Sequence, residues 1–170
     1  MTDGPAAAAP AHRDEAVELR KEAYTMALYV AICLLAALIA LPDPGAGHAP
    51  AFGVIWGVTV GLALAHWFAF RVSARLVGAG RVRAHDVESA GAQLAGAMAV
   101  ALLASVPVVL FPESSELDLV QLVLAAFIAL VGFAVARGGG ASRSRAAAYA
   151  LSVLAVALAI AWLKNGLAGH

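Results

Sequence analysis

The chain has 170 residues, 62% of them hydrophobic and only 13% charged, with a mean hydropathy of +0.86. A water-soluble domain carries about a quarter charged residues and under half apolar ones, so this composition excludes one, and with it a folded basic domain for nucleic acid. The net charge of zero hides a sorting by position: long stretches carry no charge at all, which is a membrane signature.

Residues 1–12, MTDGPAAAAPAH, are rich in alanine and proline and read as a disordered tail. They do not read as a signal peptide, because no basic residue precedes Arg13 and the apolar region that follows is of full span length. Residues 13–170 read as a single transmembrane helical domain. Its first part, RDEAVELRK, extends the first span below the membrane surface, with Glu18–Lys21 as a favourable pair and Glu18–Glu22 as a like-charge clash.

About 20 apolar residues cross the roughly 30 Å hydrocarbon core as a helix. Five segments fit: 24–41, 51–70, 90–111, 119–136 and 146–163. They are continuously apolar rather than alternating, which favours helices over barrel strands. On the first, Glu18, Glu22, Thr25, Tyr29 and Cys33 share one helix face. Cys33 is the only cysteine, so no intrachain disulfide or CxxC pair exists, and it reads as a buried small side chain. The turn PDPGAGHAP leads to the second span. There Gly53, Gly57, Gly61 and Ala65, four residues apart, form a stripe suited to close helix packing. Thr59, His66 and Ser73 form a polar line on roughly the opposite side. Both faces prefer protein to lipid, so the second span is expected at the centre of the bundle.

On the third span Gln93 falls with Asp86 and with Gly96 or Ala97, and Asp86 and Glu88 suit the helix start. Pro107 stands near its outer end, where it is expected to kink the helix. In the connection PESSELD, Ser114 or Ser115 is expected to cap the fourth span. That span is the shortest, with a ridge of Ala125, Ala129, Gly132 and Ala136 and with Gln121 near its outer end. ARGGGASRSR follows, its three glycines forming a flexible link. The fifth span carries Tyr149 and Ser152.

Arginine and lysine collect in cytoplasmic loops. Arg13, Arg20 and Lys21 precede the first span, Arg71, Arg75, Arg81 and Arg83 follow the second, and Arg137, Arg143 and Arg145 follow the fourth. Only Lys164 falls on the other side, so ten of eleven basic residues lie on one. The N-terminus is expected in the cytoplasm and the C-terminus outside, in a bacterial inner membrane.

Depth then gathers the polar groups. His66 is about 6 Å in from the inner end of its span. Gln93, Glu22 and Thr25 enter at a similar level, with Ser152 slightly deeper. Together with Thr59 they outline a polar pathway in the cytoplasmic half. An ionisable group inside a membrane is costly and suggests function, and histidine changes charge near neutral pH. Against this, His66 adjoins Trp67, an interfacial residue type, and Arg71 then marks the surface. At that depth a neutral imidazole also serves as an ordinary interhelical hydrogen-bonding group. The acidic outer face, Asp43, Glu113, Glu116 and Asp118 with His48, is expected to be solvated, and no ligand pair fixes a metal site. No cofactor motif and no nucleophile–base set stand out, so an enzyme is not expected.

In composition and topology the chain resembles the small alanine-rich multi-pass membrane proteins of actinobacteria, and the resemblance carries over no functional residue. The expected function is an oligomeric channel or transporter subunit for protons, ions or small solutes. The alternative is a non-transporting membrane protein that associates with a partner complex. The expected partners are the lipid bilayer and a second copy or a membrane partner protein, not nucleic acid.

Overall fold

A computed structural model describes residues 8–41, 49–77 and 84–167. Within these the chain forms five helices and no strand: α1 (Ala8–Ile39), α2 (Ala49–Val77), α3 (Ala84–Leu110), α4 (Glu113–Gly138) and α5 (Arg143–Leu167). All five are long and apolar enough to cross a membrane. Their outward faces carry Leu64, Phe68, Leu102, Leu122, Leu151 and Trp162, all exposed. Such a surface suits lipid rather than water, because every backbone group is satisfied within its own helix and the side chains need no polar solvent.

α1 is the centre of the bundle, in contact with each of the other four helices. This corrects the expectation that the second span is central. The spanning stretches of α1 and α3 are each 44% buried, against 28% for α4 and 17% for α2 and α5. The cause is the width of the buried stripe. On α1, Met26, Ala27, Val30, Ala31, Leu34, Leu35 and Leu38 are buried, two adjacent rows that accept neighbours on both sides. α2 buries one row, Ala51, Ile55 and Thr59, and packs mainly against α1 and α3. Its remaining surface is apolar enough for lipid to cover.

The tightest packing lies elsewhere. A Cβ at Gly96 of α3 would collide with the backbone carbonyl of Ala23 in α1. Only glycine permits that approach, and small residues at such contacts are the usual basis of helix association in lipid. On α4, Gly132 faces α5, where a Cβ would stand 3.3 Å from Ala150 Cα and 3.4 Å from Val153 Cβ. The α4 ridge thus packs against α5.

Three local expectations change. α1 is already helical from Ala8, inside the segment expected to be disordered; residues 1–7 lie outside those described. α4 is not the shortest element: it starts at Glu113, and its cap is Pro112 rather than a serine. Proline fixes φ at −62°, and ψ of 151° leaves its carbonyl to accept from the Ser115 backbone N–H at 3.1 Å and the Ser115 hydroxyl at 3.3 Å. Nor is the triple glycine simply a flexible link. Gly140 at φ +80° lets its N–H donate to Arg137 O at 3.0 Å and the Ala141 N–H donate to Ala136 O at 3.1 Å. That is a Schellman closure, and the Arg137 guanidinium reinforces it by donating to Ala141 O at 2.7 Å. α5 then opens on Ser142, whose carbonyl and hydroxyl accept from the backbone N–H groups of Ala146 and Arg145 at 2.9 and 3.4 Å. Pro107 is buried inside α3, and the helix continues past it to Leu110.

Candidate functional site

The close approach at Gly96 sets the geometry beside it. Because α1 and α3 nearly touch at Ala23, Gln93, one turn earlier on α3, meets Glu22 of α1. Gln93 Nε2 donates to Glu22 Oε2 at 2.5 Å, a half-buried bond between helices that are far apart in sequence. Charge-assisted bonds of this kind are about twice as strong as neutral ones. Glu22 and Gln93, which the sequence placed at a similar depth, are thus in contact.

Beside that bond α2 and α3 splay apart and leave a cleft of about 590 Å³, with Met26 of α1 also lining it. From α2 come Thr59, Ala63, His66 and Phe70, one helical face, with Val60, Leu64 and Trp67 on the adjoining row. From α3 come Val87, Gly91, Leu94 and Met98, again one face, with Ala90 and Gln93. The walls are mostly apolar, and Thr59, His66 and Gln93, with the indole N–H of Trp67, supply the polar groups.

The first three are in different states. Thr59 is buried, and its hydroxyl donates to Ile55 O at 2.7 Å, so only its lone pairs face the cleft. Gln93 is committed through its amide N–H to Glu22. His66 is exposed on the cleft and makes no hydrogen bond to the described residues, so it is the group best able to meet a ligand. One turn below, the Arg71 guanidinium lies over the Trp67 ring, 4.8 Å from its centroid, a cation–π contact that holds the positive charge at the mouth.

The other expected pathway residues fall outside the cleft. The exposed Thr25 hydroxyl donates to Lys21 O at 2.8 Å, and the exposed Ser152 hydroxyl donates to Tyr149 O at 2.7 Å. Both satisfy their own helix, which is the usual fate of hydroxyls in a helix without a polar neighbour. Ser73 is exposed beyond the cleft. Glu18 and Lys21 form the expected pair at 2.8 Å on the exposed flank of α1. Gly53, Gly57, Gly61 and Ala65 all face outward, and a Cβ on any of the three glycines would meet nothing within 4 Å. Among the described residues this stripe packs against no helix. Cys33 is half-buried rather than buried.

At the start of α4, Asp118 is exposed, whereas Glu116, expected to be solvated, is 0% exposed. It lies four residues before Val120 on the stripe Val120, Leu124, Ile128, all buried. Starting α4 at Glu113 rather than Leu119 would have put Glu116 on that stripe from the sequence. Asp43 and His48 lie outside the described residues, and so do the side chains of Asp86 and Glu113. Among the described residues no group of three His, Cys, Asp or Glu side chains could hold a metal ion. The chain matches no protein-family model, no curated protein and no solved structure.

Proposed function

We propose that the protein is an inner-membrane transport subunit, N-terminus in the cytoplasm and C-terminus outside, that handles small solutes through the α2–α3 cleft. The observation that carries this reading is the convergence of His66, Thr59 and the Glu22-bonded Gln93 on one opening in the Arg71 half of the bundle. A cleft of this volume lies within the usual range for small-molecule sites, about 300–1,000 Å³. Its apolar walls favour small amphipathic solutes over protons or hydrated ions. The cleft reaches only from Phe70 to Thr59 along α2, so passage to the other side requires a second copy or a partner helix. The test is solute efflux from proteoliposomes containing the purified chain. His66→Ala is expected to lower flux at least tenfold, and an authentic flux left unchanged by that substitution would remove His66 from the pathway.

A second reading is favoured by the bare face of α2. Gly53, Gly57 and Gly61 are exposed with open space above them, and glycines four residues apart support close helix association in lipid. On this reading the chain is a non-transporting subunit that docks on a partner complex. Gly57→Cys separates the two: a crosslink to a different protein, together with silent proteoliposomes, favours docking.

A further inference from the structure

The geometry points to the α2–α3 cleft as a binding site for one acyl chain of an anionic phospholipid, its headgroup held at Arg71 and an ester oxygen at His66. The inference deepens the transport reading by naming the chemical class that the cleft takes, and it rests on that reading for the further step that such an amphiphile is the cargo.

Three observations support it. The first is length. From Phe70 to Thr59 the lining runs along twelve residues of α2, eleven steps or about 16 Å of helix at 1.5 Å per residue. That matches one leaflet, half of a hydrocarbon core of roughly 30 Å. The second is chemistry along the cleft. Its depth is lined by Met26, Val60, Leu64, Leu94 and Met98, with nothing that a hydrated ion would use. Thr59, at the deep end, has already spent its proton on Ile55 O. The third is charge at the mouth. Arg71 is exposed and held over Trp67, whose ring lines the cleft, so the cation has a fixed position beside the opening. His66 stands five residues deeper on α2, about 7.5 Å along the axis, inside the chain-lined stretch, so the headgroup charge rests on Arg71 and His66 offers a hydrogen bond to an ester oxygen above it. On the facing helix Glu88 is exposed but does not line the cleft, and Glu22 is engaged by Gln93, so neither carboxylate displaces an anionic headgroup from Arg71.

A second copy would cover the cleft differently, through a broad helix contact rather than a single chain. Charge selectivity distinguishes the two. The full-length protein is reconstituted in vesicles of phosphatidylcholine and phosphatidylglycerol, and spin-labelled forms of each lipid are compared by electron paramagnetic resonance for the motionally restricted fraction. Phosphatidylglycerol is expected to be retained about fivefold over phosphatidylcholine, the preference that one basic group near the surface confers. Gly91→Phe places a ring in the cleft from a position where a Cβ meets nothing within 4 Å, and the thermal midpoint checks that the fold is kept. It should remove the phosphatidylglycerol preference and lower the restricted fraction by the cleft lipid alone, leaving the annular shell and the thermal midpoint unchanged. Arg71→Gln should remove the headgroup preference but keep the chain.

Arg143→Gln is the control, because Arg143 is equally exposed but starts α5 rather than flanking the cleft. Equal retention of the two lipids overturns the proposal, and so does a phosphatidylglycerol preference that survives Gly91→Phe. A loss of preference in Arg143→Gln as large as in Arg71→Gln also overturns it, since ordinary annular electrostatics would then explain the result. A disulfide between two copies carrying Gly91→Cys, with no phosphatidylglycerol preference, assigns the cleft to a second copy instead. Failure of the transport reading looks different: selective retention persists but no flux is found.

Discussion

Gly96 is the residue on which the α1–α3 pair depends. A Cβ there would strike a backbone carbonyl rather than the yielding tip of a side chain, so the helices must separate to admit it. Gly96→Val is expected to destabilise the folded state by about 3 kcal/mol or more, the upper end of overpacking effects. Gly132→Ala, with its nearest neighbours at 3.3–3.5 Å, should cost about 1 kcal/mol. Gly57→Ala, in open space, should fall within about 0.5 kcal/mol of the parent. Unfolding of the purified variants in detergent ranks them, and a Gly57 variant worse than the Gly96 one would reverse this account. The Glu22–Gln93 bond has its own test. Gln93→Leu leaves a half-buried carboxylate without its donor and should cost about 1–3 kcal/mol. Replacing Glu22 by leucine as well should recover most of that loss, because two apolar groups leave nothing unsatisfied. If the double variant shows only the sum of the single losses, the two residues are not coupled.

At the scale of the elements, the five helices were legible because a membrane span announces itself by length and apolarity. Which helix lies inside was much less so. In water an apolar face points inward, but in lipid it is equally at home outside, so the glycine stripe of α2 marked a capacity for packing and not its use. The stripe that mattered was broader and duller, the leucines, valines and alanines of α1. Gly96 was visible only as a small residue beside Gln93, because a single glycine carries no periodicity. The shared depth of Gln93 and Glu22 was legible because polar side chains in hydrocarbon have few alternatives to one another, but their pairing was not. Thr25 and Ser152 shared that depth but not that need, since a hydroxyl can bond its own backbone. The α4–α5 connection shows the same limit: three glycines look flexible in sequence, yet the turn needs positive φ at Gly140 alone. Gly140→Val should therefore cost about 1–2 kcal/mol, whereas Gly138→Ala, inside the helix with open space around it, should be neutral or stabilising. The same detergent unfolding measurement separates them, and equal effects would argue against the Schellman closure.

For the whole molecule, orientation is the property on which the remaining inferences hang, and its physical basis is the distribution of charge. Ten of the eleven basic residues lie in the N-terminal part of α1 or flank the α2–α3 and α4–α5 connections, and five spans put all of these on one side. The far side offers Lys164 alone. Translocating a short loop with several arginines is disfavoured, so each basic connection votes for the cytoplasm and the votes agree. A fluorescent protein that matures only in the cytoplasm should therefore glow when fused before residue 1 and stay dark when fused after residue 170. A periplasmic phosphatase fusion should give the opposite pattern. The arginines can be tested as the cause. Replacing Arg81 and Arg83 alone should leave the pattern intact, because the basic residues in the N-terminal part of α1 and around the α4–α5 connection still agree. If the C-terminal fluorescent fusion glows in the parent chain, the Arg71 end of the cleft faces outward. The lipid it meets is then that of the opposite leaflet, although the length match and the charge at its mouth are unchanged.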